Sequence, residues 1–178
     1  MDKISYDDYF LTMCYLVAQR SPDPSTKCGA VLVSADKRIL STGYNGPIKG
    51  ADDTQVPLER PAKYAHILHA EENCVIAYNG SSQDLVGATM YVTGRPCHNC
   101  LRIILQKGIK IITATDGNHT VMHDDTEEKL CQQMLGYVPG ITMTAVPNID
   151  KVLALLDTTK KYIYEKNPQL TTASNWKS

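Results

Sequence analysis

Apolar residues recur along this chain with two alternating spacings, one typical of helices and one typical of strands. Helical spacing predicts helices over residues 6–18, 69–78, 97–106, 124–135 and 150–165. Short apolar runs bounded by turn-forming residues predict strands over residues 28–33, 39–43, 88–93, 109–114 and 141–146. This order of elements predicts an α/β architecture, a mixed five-stranded sheet with helices on both faces.

The longest stretch without a clear spacing is the polar connection of residues 46–62, which contains prolines at positions 47, 57 and 61. Connections of this length in a compact domain are usually functional. Residues 167–178 are polar and include a proline, so we expect a loose C-terminal tail there. The predicted organisation is therefore a single domain over residues 1–166 followed by that tail.

Composition places the chain among ordinary soluble domains. Of its 178 residues 43% are hydrophobic and 21% are charged, and the formal net charge is −1. A charge near zero argues against nucleic acid as a partner, because binding along phosphates needs a basic face. No apolar run approaches the ~20 residues that span a bilayer, so no membrane association is expected. The first eight residues do not resemble a secretion signal, and we expect a cytoplasmic protein.

The six cysteines divide into one pair and four scattered residues. In a reducing compartment, clustered cysteines indicate a metal or catalytic site, whereas scattered ones are usually small buried hydrophobic residues. The pair is Cys97 and Cys100. Core positions are predicted for the other four, which are Cys14, Cys28, Cys74 and Cys131.

Cys97 and Cys100 lie three residues apart at a predicted helix start, so both sulfurs lie on one side of that helix. A helix N-terminus also favours the thiolate, which is the form that binds a metal. With His69 from a separate helix they would form a Cys₂His set, and three protein ligands leave one tetrahedral position open, as in catalytic zinc sites. A Cys-x-x-Cys pair by itself is equally compatible with a redox pair or with half of a structural zinc site.

Glu71 follows His69 by two residues and places a carboxylate at the start of the same predicted helix. The pattern His-x-Glu followed by Pro-Cys-x-x-Cys is typical of zinc deaminases that act on nucleobases, in which the glutamate is the general acid and base and not a ligand. Glu71 is therefore the predicted catalytic residue, and His69, Cys97 and Cys100 are the predicted zinc ligands. His98 is predicted to be a surface residue of the first helical turn and not a ligand.

Further segments resemble one particular family. They are residues 19–31 (QRSPDPSTKCGAV), the Gly-Tyr-Asn-Gly run at 43–46, and Lys63-Tyr64 ahead of residues 69–73 (HAEEN). Together with the zinc motif they resemble the deoxycytidylate (dCMP) deaminases of the zinc-dependent cytidine and deoxycytidylate deaminase superfamily, over residues 6–146. The resemblance implies a three-layer α/β/α cytidine-deaminase-like fold. It also implies hydrolysis of dCMP to dUMP and ammonia, which supplies dUMP for thymidylate synthesis.

The same resemblance implies substrate contacts. Asn45 matches the residue that contacts the deoxyribose in the family, and Lys63 matches a basic residue that helps to hold the 5′-phosphate. Ser25 joins them as a predicted substrate-binding residue. Met122 stands where the family has a tyrosine that contacts the phosphate, so His123 becomes the predicted phosphate contact in that region.

Family members that this chain resembles are homohexamers, activated by dCTP and inhibited by dTTP at a second site near a subunit boundary. The resemblance places this allosteric nucleotide site in the loop after Asn45, at Gly46, Lys49, Asp52 and Asp53, and a regulatory triphosphate would bring Mg²⁺ with it. Some phage members carry a second, structural zinc in this loop. Residues 48–59 contain neither cysteine nor histidine, so a single Zn²⁺ per subunit is predicted.

Two other classes of function remain open. An enzyme of the same chemistry could act on free cytidine or on a polynucleotide base. The near-neutral charge and the lack of interleaved aromatic and basic residues argue against a polynucleotide, whereas Lys63 and residues 43–46 argue against a free nucleoside. A structural zinc module without activity would need a fourth protein ligand, and the neighbouring sequence offers only His98 or His66.

Overall fold

The helix predicted at the start of the chain, α1, spans Tyr6–Ala18. The hydroxyl oxygen of Ser5 accepts the backbone N–H of Asp8 and thereby caps the first turn. Phe10, Leu11 and Cys14 lie on one face of α1 and are buried against the sheet. The computed structural model describes residues 3–52, 54–115, 125–146 and 150–166.

The described residues form seven strands, two of which make a small separate sheet. In chain order they are β1 Gly29–Val33, β2 Ile39–Tyr44, β3 Gly46–Pro47, β4 Ile67–Leu68, β5 Thr89–Val92, β6 Ile111–Thr115 and β7 Thr142–Val146. The main sheet has the order β2-β1-β5-β6-β7. Strand β1 is antiparallel to β2 and β5, whereas β5 and β6, and β6 and β7, run parallel. The predicted mixed five-stranded sheet is confirmed.

Helices cover both faces of the main sheet. After α1 they are α2 Ala70–Ala77, α3 His98–Gln106, α4 Asp125–Tyr137 and α5 Asp150–Lys166. Successive residues of β1 point to opposite faces. Ala30 and Leu32 pack with residues of α2, α3 and α4, whereas Val31 and Val33 pack with residues of α1 and α5. The result is the predicted three-layer α/β/α fold.

The long connection and the end of α4 differ from the prediction. Strand β3, at the start of the connection, pairs antiparallel with β4, which lies beyond its end, and a 3₁₀ helix over Ala62–Ala65 follows the connection; neither was predicted. A second 3₁₀ helix, over Ser82–Leu85, was also missed. The prediction that α4 ends before Gly136 is wrong. The helix continues to Tyr137 and stops ahead of Pro139, whose ring cannot continue it.

Residues 167–178, which form the predicted tail, lie outside the described part of the chain. The division into a domain over residues 1–166 and a tail therefore stays a prediction. Of the helices that the structure describes, none is both long and apolar enough to cross a membrane.

Candidate active site

Two helix N-termini bring the predicted zinc ligands together. His69 is the N-cap residue of α2 and Cys97 is the N-cap residue of α3, with extended backbones at both positions. Cys100 lies in the first turn of α3. The side-chain ligand atoms of His69, Cys97 and Cys100 all lie within 4.8 Å of one another. The backbone N–H of His69 donates to the Glu72 carboxylate at 2.7 Å, which fixes the start of α2.

The spacing of this group suits a tetrahedral zinc ion. Zinc bonds of about 2.3 Å to sulfur and about 2.0 Å to nitrogen, at tetrahedral angles, separate a bound sulfur from a bound nitrogen by about 3.5 Å. Nδ1 of His69 lies 3.5 Å from the Cys97 sulfur and 3.3 Å from the Cys100 sulfur. The three donors are therefore arranged as zinc requires, and they are the soft sulfur and imidazole ligands that zinc prefers.

Hydrogen bonds among these three side chains shift their pKa values in different directions. The hydrogen bond from Cys100 lowers the pKa of the Cys97 thiol to about 3, against the effect of burial, and His69 lowers it further. The pKa of Cys100 is raised well above its usual value because its proton is held between the two sulfurs. The hydrogen bond to Cys97 is also the main reason why the pKa of His69 is raised to about 9. A metal bound here would displace these protons, so its affinity would fall at low pH.

Glu71 is buried in the same place, with 5% of its surface exposed. Because His69 is the cap and not yet part of the regular helix, its side chain and that of Glu71 line one cavity although they are two residues apart. Burial raises the pKa of Glu71 to about 7, an effect that nearby His69 partly offsets. A carboxyl group with this pKa can both accept and release a proton near neutral pH.

The cavity above Glu71 has a volume of about 400 Å³. It brings together predicted catalytic, zinc-binding and substrate-binding residues that are distant in sequence, namely Ser25, Asn45, Lys63, His69, Glu71 and Cys97. One part of its wall is formed by Asp23, Ser25, Thr26 and Cys28, in the segment between α1 and β1. The cavity is thus concave and combines apolar walls with a few polar groups, as small-molecule sites do.

Lys63 is buried in the wall of this cavity, with 4% of its surface exposed. Its ammonium group lies 2.6 Å from the Asp23 carboxylate and donates to the Ser25 hydroxyl, also at 2.6 Å. Asp23 in turn accepts the backbone N–H groups of Ser25 and Thr26. The positive charge of Lys63 is therefore compensated by a buried carboxylate, a partner that the sequence analysis did not identify.

Asn45 ties the end of β2 to the same wall. Its Oδ1 accepts the backbone N–H of Cys28 at 2.7 Å, and its Nδ2 donates to the carbonyl oxygen of Thr26 at 2.8 Å. A longer contact of 3.4 Å joins Nδ2 to Asp23. Asn45 thus holds residues 23–28 against β2 and forms part of the cavity wall, and its contact with a sugar stays a prediction.

His98 is half-buried, although a surface position was predicted for it. Its Nδ1 lies 2.6 Å from the Glu127 carboxylate, and its backbone N–H also donates to Glu127. The side chain of Cys97 forms no capping bond for α3, so a residue of α4 performs that function. Glu127 therefore fixes the helix start that carries both cysteines.

Comparison with known proteins agrees with this site. A model of the cytidine and deoxycytidylate deaminase zinc-binding region matches residues 4–115. The chain belongs to this deaminase family. It is 34% identical over 164 residues to the deoxycytidylate deaminase of Pongo abelii and 35% identical to that of Mus musculus. Each match covers 88% of this chain and 88% of the relative.

Solved structures share the fold of this deaminase. The dCMP deaminase from the cyanophage S-TIM5, in complex with dCMP and dUMP, has a TM-score of 0.61 at 24% identity. The match covers 82% of this chain and 100% of that one. The fold, the family and the hydrolase class that the motifs predicted are confirmed.

The predicted allosteric residues of this deaminase lie in the loop after Asn45. Gly46 is in β3 and pairs with Leu68, Lys49 is exposed, and Asp52 accepts the backbone N–H and the hydroxyl of Thr54. A second cavity, of about 450 Å³, opens beside this loop. Its lining includes Ile48, Ala51, Val56, His66, Glu72 and Arg102. The other two predicted positions, Asp53 of the allosteric set and His123 of the phosphate contacts, lie outside the described residues, as does Met122.

Some residues of the deaminase cavity were missed by sequence reasoning. Arg60 and Arg95 both line it, and Arg95 donates to Glu128 of α4 at 3.1 Å. Arg95 could have been identified as a cavity residue because it directly precedes Pro96-Cys97 of the zinc motif, whereas nothing in the sequence pointed to Arg60. Cys28, predicted as core, is half-buried and lines the cavity. The other three scattered cysteines are buried as predicted.

Proposed function

We propose that this protein is a zinc-dependent hydrolase that converts dCMP to dUMP and ammonia. The observation that carries the proposal is the placement of the buried Glu71 carboxylate beside the group of His69, Cys97 and Cys100, at a cavity of about 400 Å³ that Glu71, His69 and Cys97 line. The names of the deoxycytidylate deaminases to which the chain is 34–35% identical support the choice of substrate.

In this proposal Nδ1 of His69 and the sulfurs of Cys97 and Cys100 hold the metal. Bound zinc lowers the pKa of water to about 7 and so supplies a nucleophile at neutral pH. Glu71 accepts the proton that the attacking water loses and donates a proton to the ring nitrogen of the base. Glu71 then accepts the second proton, from the hydroxyl group that the attack has placed on the ring carbon, and transfers it to the amino group; the C–N bond breaks, ammonia departs and the carbonyl of the product forms.

The remaining polar groups of the cavity would hold the rest of the nucleotide. With the base beside Glu71, the sugar would lie against the wall that contains Asn45 and Ser25. Lys63 provides one further N–H donor beyond the two that it uses toward Asp23 and Ser25. His123 stays a candidate for the phosphate end.

Regulation is part of the proposal. The second cavity and the loop that carries Gly46, Lys49 and Asp52 support a site for dCTP and dTTP, with Mg²⁺ on the triphosphate, in a homohexamer. Arg102, which lines this cavity, offers a guanidinium suited to phosphate oxygens. The dUMP formed would enter thymidylate synthesis in the cytoplasm.

The test measures ammonia release from dCMP, from deoxycytidine and from a cytosine-containing single-stranded DNA, each with and without dCTP and dTTP. We expect turnover of dCMP that exceeds that of the other two, activation by dCTP and inhibition by dTTP. Fast turnover of deoxycytidine with none of dCMP would refute the substrate. If dCMP turnover did not change with dCTP or dTTP, the proposed reaction would stand and the proposed regulation would be refuted.

A further inference from the structure

We propose that Arg60 binds the 5′-phosphate of the substrate and sets the preference for a nucleotide over a nucleoside. This inference rests on the proposed deamination of dCMP and assigns the specificity of the same cavity to a residue that the motifs do not contain. The assignment follows from the charges that line the cavity and from the partners that each charge already has.

Two of the three cavity cations of fixed charge are already compensated. Lys63 is paired with the buried carboxylate of Asp23 at 2.6 Å, and Arg95 is paired with Glu128 at 3.1 Å. A phosphate could draw the full charge of Lys63 only by breaking a buried ion pair, which is costly because it leaves Asp23 buried and unpaired. Lys63 can therefore offer a phosphate its remaining N–H donor, whereas its charge is already compensated by Asp23.

Arg60 is the remaining cation of the cavity. Among the described residues it forms no ion pair, and its Nη2 donates to the hydroxyl of Thr26 at 3.3 Å. That bond places the guanidinium on the same wall as Ser25, Thr26 and Lys63. With Asp23 and Lys63 cancelling each other, Arg60 gives this wall a net positive charge.

The chemistry of this wall matches a phosphate monoester. A guanidinium offers planar paired N–H donors that fit two phosphate oxygens at once. The hydroxyl group of Thr26, which accepts the Arg60 bond, can donate its own proton to a further phosphate oxygen, whereas the hydroxyl of Ser25 already donates to Asp23 at 2.9 Å. To bind an anion, Arg60 gives up only its hydrogen bond to the neutral hydroxyl of Thr26. A dianionic phosphate is therefore a better partner for the guanidinium than this hydroxyl.

The test compares Arg60→Gln with the wild-type enzyme on two substrates, dCMP and deoxycytidine. We expect kcat/KM for dCMP to fall about 10- to 100-fold, mostly through KM, because a charge-assisted contact is lost. Turnover of deoxycytidine, which has no phosphate, stays within about threefold. Arg60→Lys keeps the charge but not the paired donors, so its kcat/KM for dCMP should lie between those of the wild type and Arg60→Gln. Arg38→Gln is the matched control, since Arg38 is an exposed arginine paired with Asp36 outside the cavity.

A direct binding measurement separates this inference from the proposed function. By calorimetry, we expect dUMP to bind the wild-type protein at least about 10-fold more tightly than it binds Arg60→Gln, and deoxyuridine to bind both equally. Equal losses for dCMP and deoxycytidine, or dUMP binding that ignores the substitution, would overturn the role of Arg60. A wild-type protein that deaminates neither substrate would instead refute the proposed function, and the dUMP comparison would still decide the role of Arg60.

Discussion

The ammonium group of Lys63 lies 2.6 Å from the carboxylate of Asp23, and the two side chains are only 5% and 3% exposed. Removing one partner of a buried ion pair leaves the other charge buried and unpaired. We therefore expect Asp23→Asn to lower the free energy of unfolding by about 3 kcal/mol, measured by urea denaturation.

The exposed pair of Arg38 and Asp36 provides the matched control for this substitution. Its side chains are 65% and 62% exposed. Asp36→Asn should change the free energy of unfolding by no more than about 1 kcal/mol, because solvent screens the pair. Replacing both buried partners, as in Asp23→Asn with Lys63→Met, should recover much of the lost stability. Equal effects of Asp23→Asn and Asp36→Asn would contradict the importance of the buried pair.

The same pair predicts a dependence of stability on pH. Burial alone would raise the pKa of Asp23, but Lys63 and the donors of Ser25 and Thr26 outweigh it, so the pKa in the folded state is lowered. The stabilisation is therefore complete above the unfolded-state pKa of about 3.9 and is lost as the pH falls through the folded-state pKa.

We expect the stability difference between the wild type and Asp23→Asn to stay constant from about pH 7 to pH 5 and to shrink below about pH 4. Urea denaturation of both proteins in the metal-free form removes the contribution of metal binding from the comparison. If the stability difference between the two proteins grew as the pH fell, the pKa of Asp23 in the folded state would be raised and not lowered.

Local patterns were sufficient to predict the fold. The helical spacing of apolar residues in α1 reflects burial on one face, and the continuous apolar run of β1 reflects burial on both faces of the sheet. Burial also decides the layers of the structure. The two-residue strands β3 and β4 were missed because their pairing joins Gly46 to Leu68 across the long connection. No local preference specifies such a contact.

The centre of the candidate site could also be predicted, because its residues lie in short motifs at helix starts. The partners of those residues could not. Lys63 is compensated by Asp23, which lies 40 positions earlier in the sequence. His98 is held by Glu127 of α4. These pairs form only when separate elements pack together, so sequence spacing carries no signal for them.

Glu71→Gln tests the proposed proton transfer. The amide keeps the size of the side chain but can no longer accept and release the proton, so kcat for dCMP should fall about 10²- to 10⁴-fold. Zinc content, measured by atomic absorption, should stay at one ion per chain because Glu71 is not in the ligand group. Glu72→Gln is the neighbouring control. Glu72 caps the backbone of His69, and its change should reduce kcat by less than about tenfold. Retained activity in Glu71→Gln would show that another group moves the proton.

The zinc ligands are tested by the metal content of serine variants. We expect Cys97→Ser and Cys100→Ser to lose the zinc ion that the wild-type chain retains after dialysis, because hydroxyl groups bind zinc far less well than thiolates. Cys74→Ser is the matched control. Cys74 is buried in the core and already contacts the hydroxyl of Ser41, so its variant should keep one zinc per chain.

Thermal unfolding gives a second measurement of the same ligands. A metal that binds only the folded state stabilises it, so a chelator should lower the Tm of the wild type and of Cys74→Ser. The Tm of Cys97→Ser should not change, because that variant has no bound metal to lose. If Cys97→Ser kept one zinc ion and its response to the chelator, the ion would lie elsewhere. The short distances from His69 Nδ1 to the two sulfurs would then reflect hydrogen bonding alone.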